Sequence, residues 1–118
     1  MNTKKIGDIG EEKAVEYLKK KRYRILDRNY RCRFGEIDII AKYDDYIVFI
    51  EVKTRRGEGY GRPIEAINST KLNRILKTVN FYLAEKRMFD ANIRIDAIEV
   101  FLSNLKEIGL NHIENIVC

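Results

Sequence analysis

A chain of 118 residues, 45% hydrophobic and 35% charged, has the size and balance of one globular domain, spanning residues 1–118, with a core of its own. No apolar run is long enough to cross a membrane as a helix, and residues 1–8 mix charged and glycine residues where a signal peptide would be apolar, so a cytoplasmic protein with no membrane partner is expected. The net charge of +5 leans mildly toward a polyanionic partner, and the two distant cysteines, Cys32 and Cys118, exclude a zinc-finger spacing.

The spacing of Ile6, Ile9, Gly10, Ala14, Tyr17 and Leu18 predicts a helix over 3–21 with one apolar stripe. Gly7 and Gly10 sit in it. A helical glycine costs about 1 kcal/mol against alanine, so another backbone is expected to pass close there. Glu11 flanks the stripe, and by spacing alone it is a solvated residue like Glu12 and Glu16. Lys19, Lys20, Lys21 and Arg22 suit the negative end of the helix dipole.

A short strand over 23–30 follows, with Ile25 and Leu26 as core candidates. Arg28, Arg31 and Arg33, with Tyr30 among them, fit a phosphate track and a wet sheet edge equally well.

Residues 34–56 form the centre of the chain. They predict a hairpin of strands 36–42 and 47–54 around the polar turn 43–46. In the second strand Ile47, Phe49, Glu51 and Lys53 share one face, and Val48, Ile50 and Val52 share the other. Both faces are apolar at first, as in a central strand covered on both sides. Glu51 and Lys53 stand where the apolar run ends. Buried charges there need a partner, a metal or an open strand end.

Asp38 and Glu51 lie one hairpin apart, so neighbouring strands can bring them together. Paired carboxylates repel unless a cation separates them, and all-oxygen ligation suits magnesium or manganese. Lys53 shares the face of Glu51, where an ammonium can orient a metal-bound water or steady charge growing on phosphorus. The set suits phosphodiester hydrolysis. A plain salt bridge of Glu51 with Lys53 or Arg55 is the competing reading. The sole histidine, His112, lies far along the chain and is read as structural or surface.

Residues 54–63 are glycine-rich and basic, and predict a loop that serves either as a connector or as a substrate contact through Arg55, Arg56 and Arg62. A second helix is predicted over 63–87, with a break near 68–70 and a cap from Asn68 or Ser69. Lys71, Arg74 and Lys77 give it a basic face, for solvent or for nucleic acid. Residues 93–102 alternate as a strand, and 111–117 predict a short edge strand. The sum is an α/β sandwich of order αβββαβ(β), with a mixed central sheet of four to five strands flanked by helices.

Three motifs then stand together: Gly7-Asp8-Ile9-Gly10-Glu11-Glu12 with Ala14, Gly35-Glu36-Ile37-Asp38-Ile39-Ile40, and Phe49-Ile50-Glu51-Val52-Lys53-Thr54-Arg55. They resemble the PD-(D/E)xK nuclease superfamily, and more closely the YraN-like family of presumed endonucleases akin to Holliday-junction resolvases. The resemblance spans residues 5–100. It implies a restriction-endonuclease-like fold and hydrolysis of DNA phosphodiesters, with branched DNA as one candidate substrate. It also implies Mg2+ or Mn2+ held by Asp38, Glu51 and Glu11, with Lys53 as the catalytic lysine. In such enzymes a metal-activated water attacks phosphorus in line and leaves a 5′-phosphate, and the resolvase relatives act as homodimers. Arg31, Arg33, Arg55, Arg56, Arg62, Lys71 and Arg74 are the candidate nucleic-acid contacts. Ile37 replaces the motif proline before Asp38, which removes no functional group. The alternatives are a nucleic-acid-binding or partner-binding module with this fold and little turnover, and a scaffold whose basic loop recruits another protein.

Overall fold

The computed structural model of the chain describes residues 3–56 and 68–116. Seven elements follow in chain order: α1 (Thr3–Lys20), β1 (Arg24–Cys32), β2 (Gly35–Tyr43), β3 (Tyr46–Arg56), α2 (Ser69–Glu85), β4 (Asn92–Ser103) and β5 (Lys106–Ile113). The five strands form one sheet in the order β1-β2-β3-β4-β5. All neighbours are antiparallel except β3 and β4, which run parallel across the crossover through α2. The α/β class and the mixed sheet expected from the sequence are present, with β3 in the middle.

Burial explains that place. On β3, Val48 and Ile50 pack into a cluster with Ile6, Ala14, Val15 and Leu18 of α1. Ile47 and Phe49 pack into another with Val79 and Tyr82 of α2. Alternation along one strand therefore feeds two cores, one on each face of the sheet, and the helices cover opposite faces. Each such fully buried side chain contributes about 1.5–3 kcal/mol.

Both helices end in the same way. Arg22 (φ 71°) and Arg87 (φ 57°) adopt left-handed backbone, and the next residues, Tyr23 and Met88, donate back to Leu18 O and Leu83 O at 2.9 and 2.8 Å. At the start of α2, Asn68 is the cap: its Oδ1 accepts from the Lys71 N–H at 2.8 Å.

Two expectations need correction. The last strand is β5, Lys106–Ile113, and residues 114–116 lie beyond it. Its turn carries Asn104 and Leu105 at φ 51° and 65°, a hairpin geometry that usually announces itself with glycine. The two glycines of α1 also differ. A Cβ on Gly10 would stand 1.8 Å from Thr54 Oγ1, whereas one on Gly7 would meet nothing within 4 Å. The close neighbour at Gly10 is a threonine side chain of β3, and Gly7 has none. The predicted helix start at 63–67 and most of the glycine-rich loop, with Arg62, lie outside the described residues.

Candidate active site

The site grows from a fault in β2. Residues two apart on a strand share a face, yet Ile37 packs on the α2 side and Ile39 on the α1 side. The strand turns over at Asp38. Opposite it on β1 is Asn29, in left-handed backbone at φ 52°, between the paired residues Arg28 and Tyr30. On the other side the ladder between β2 and β3 stops at Ile39 and Ile50. Beyond that pair the Val52 N–H donates to the Asp38 carboxylate, Oδ2, at 2.8 Å. A side-chain oxygen thus takes a donor that a longer ladder would have used, and the carboxylate is fixed where β2 and β3 part.

Glu11 approaches from α1. Gly10 lets the helix sit on Thr54 without a Cβ between them, and Glu11 is the next residue. Its Oε1 is buried with no hydrogen-bond partner. Burial first, then the negative charge of Asp38, pushes the Glu11 carboxyl up from its ordinary range, against Arg28 and a hydrogen bond from Asn29. Asp38 is likewise pushed up, by burial and by Glu51 and Glu36, against the Val52 N–H and Lys53. Each acid feels the next, so the three form one electrostatic group spread across the end of the sheet.

Glu51 and Lys53 face α2. Lys53 Nζ is 3.3 Å from Glu51 Oε1, and Lys71 Nζ pairs with the same oxygen. Asp38 and Glu51 line a cleft of about 640 Å³ between the sheet and the start of α2, together with Glu36, Asn68, Lys71 and Arg74. Among the described residues, no group of three or more His, Cys, Asp and Glu side chains is arranged to hold a metal ion. Glu51 is engaged by lysines.

The basic residues divide. Lys71 and Arg74 lie on the cleft. Arg33 stacks over Phe34 in the turn before β2, its guanidinium carbon 4.9 Å from the ring centroid. Arg31 pairs with Glu36 at 3.1 Å on the exposed edge. Arg55 Nε is 3.2 Å from Oε2 of Glu99, whose side chain is only 1% exposed. Arg56 is exposed at the end of β3.

Two polar features lay beyond the sequence reading. One is the pairing of Lys71 with Glu51, since spacing alone puts Lys71 on a basic helix face with Arg74 and Lys77. The other is a buried network on the α1 side of β4. Fully buried Asp96 accepts from Arg94 at 2.9 Å and from the Asn115 N–H at 2.9 Å, and it bonds His112 Nε2 at 2.7 Å. His112 Nδ1 in turn meets the Tyr17 hydroxyl at 2.9 Å. His112 is therefore structural, one of the two readings given to it. The signal available was an acid in the core-facing row of Ile98, Val100 and Leu102.

Comparison with known proteins agrees in extent. The model of the uncharacterised protein family UPF0102 matches residues 10–100. A UPF0102 protein of Clostridium acetobutylicum is 50% identical over 113 residues, covering 95% of this chain and 93% of the relative. One from Alkaliphilus oremlandii is 54% identical over 114 residues, covering 95% and 97%. One from Caldicellulosiruptor saccharolyticus is 44% identical over 116 residues, covering 98% of each.

Proposed function

The chain belongs to the uncharacterised protein family UPF0102, and we propose that it is a divalent-cation-dependent endonuclease of the PD-(D/E)xK type, acting on DNA and built on a restriction-endonuclease-like sandwich. The observation that carries this reading is the Asp38 carboxylate fixed by the Val52 N–H at the parting of β2 and β3, with Glu11 and Glu51 in its field. Acids whose burial and mutual repulsion raise their pKa are costly in a structural role and useful in a catalytic one.

By type the donors suit a hard cation, although among the described residues no three of them are grouped to hold one. All the donors are carboxylate oxygens, and Glu11 Oε1 is a buried acceptor with nothing to accept from. Asp38, Glu51 and Glu11 would hold Mg2+ or Mn2+, which when bound supplies Lewis-acid activation of phosphate and of water. Lys53 stands beside Glu51 and offers its ammonium to the attacking water or to charge on the phosphoryl oxygens. Arg74 on the cleft wall suits the backbone of the same strand. Water adds to phosphorus, the leaving oxygen departs with a proton, and the strand is cut. Branched DNA, a homodimeric state and a cytoplasmic location belong to this proposal.

The test has two arms. Calorimetry with Mn2+ should show a site in the wild type that is weakened about tenfold or more, about 1.4 kcal/mol, in Asp38→Asn. Lys53→Ala should lose cleavage of branched DNA while retaining DNA binding. Equal cation binding by wild type and Asp38→Asn sinks the site assignment. One observation favours a second reading, a nucleic-acid-binding module with little turnover: Glu51 is held between two lysines. Salt-sensitive DNA binding with no cation-dependent cleavage would decide for it.

A further inference from the structure

Lys71 stands in an unfavourable place for a lysine. It lies in the first turn of α2, where the helix dipole disfavours a cation, and no acidic residue shares that turn. The local chain does not explain it, because the cap is made by Asn68 through the Lys71 backbone N–H. What holds the side chain is Glu51, across the cleft on β3, and Lys53 shares the same Oε1. Two ammonium groups thus serve one carboxylate oxygen beside the half-buried Asp38.

We propose that Lys71 is the resident counter-ion of the acidic site, occupying on Glu51 the place that a divalent cation takes, so that the cation enters only by displacing it. This rests on the nuclease reading. The arrangement relieves repulsion between Asp38 and Glu51 without a metal, which lets the site form and remain folded at low cation concentration. It also accords with the finding that, among the described residues, no three acids are grouped to hold an ion while Glu51 is engaged. Once displaced, the ammonium remains on the cleft wall with Arg74, facing the phosphates of a bound strand. Lys71 thereby sets the cation threshold and is a positioning residue for Glu51.

The experiment is Mn2+ binding to the full chain without DNA, read by the electron paramagnetic resonance of free Mn2+, with thermal unfolding in parallel. Lys71→Met should bind Mn2+ about tenfold more tightly, about 1.4 kcal/mol. It should also melt lower than wild type without Mn2+ and gain more from adding it. Lys77→Met removes the same charge from an exposed position further along α2 and should change affinity by less than about twofold, since solvent and salt screen it. Lys71→Arg, which keeps the cation, should bind Mn2+ as weakly as wild type. Wild-type binding that depends on Asp38, with Lys71→Met no tighter, overturns the counter-ion role and leaves the nuclease reading standing. An equal gain in Lys77→Met overturns it too, as a general charge effect. No Mn2+ binding by any variant at millimolar concentration removes both.

Discussion

The Val52 N–H and the Asp38 carboxylate, 2.8 Å apart, replace a rung of the ladder between β2 and β3. The backbone of one strand thus fixes an acid of its neighbour. Asparagine can still accept this bond through its amide oxygen, but alanine cannot. Asp38→Ala should therefore destabilise by about 1–3 kcal/mol through the orphaned N–H, and Asp38→Asn by much less. Urea unfolding of the two variants without metal measures the difference. Equal losses would mean that the bond does not hold the strand.

Glu11 and Asp38 both have raised carboxyl pKa values, so in this range the folded state binds more protons than the unfolded one. Without metal, their contribution to stability is then greatest at low pH. It falls as pH rises through the carboxylate range, and the loss is complete above the raised values. Glu11→Gln removes the charge and should stabilise the metal-free protein at pH 7 by on the order of 1 kcal/mol. That gain should vanish where Glu11 is protonated. Thermal melts of both proteins across pH check the sign, and a gain that grows in acid would refute it.

Asp96 runs the other way. Burial raises its pKa, but bonds to His112, Arg94 and the Asn115 N–H outweigh that and hold it low. Its contribution to stability is present above the ordinary aspartate range and is lost as pH falls through the lowered value. Asp96→Ala takes from Arg94, whose side chain is only 11% exposed, its buried carboxylate and leaves it only the exposed Glu114 and the Tyr23 hydroxyl, and should cost about 3–5 kcal/mol at neutral pH. Denaturant unfolding measures it. A cost below about 1 kcal/mol would show that the network is dispensable.

The glycines of α1 give a paired test. Gly10→Ala drives a Cβ into Thr54 and should cost about 1–3 kcal/mol, moving Glu11 with the helix. Gly7→Ala meets open space and should stabilise by about 0.5–1 kcal/mol through helix propensity. Similar effects at both positions, in unfolding by urea, would remove the packing argument.

Much of the frame was legible because single strands carry their own pattern. The two-faced apolar run of β3 announced a central strand, and the alternation of β4 placed Ile95 and Ile98 on opposite cores. The position of β5 was not legible. Its residues are half-exposed along one edge, and Asn104 and Leu105 turn the chain without a glycine. For the candidate site, the face shared by Glu51 and Lys53 followed from their spacing. The break at Asp38 did not, because it depends on Asn29 of another strand taking a left-handed conformation. Lys71 and Glu51 meet only through the tertiary fold. The same holds for Gly10, whose neighbour Thr54 lies on another element.

The one parallel pairing, β3 with β4, also bears on how the protein is made. While the ribosome is still extending the chain toward residue 92, β3 has one unpaired flank, and that flank belongs to the strand that carries the apolar run Ile47-Val48-Phe49-Ile50. A nascent chain in that state is prone to stick to other chains through the open side. Pausing or truncation before β4 emerges should therefore yield aggregates, whereas loss of β5 alone would leave the central strand paired on both sides.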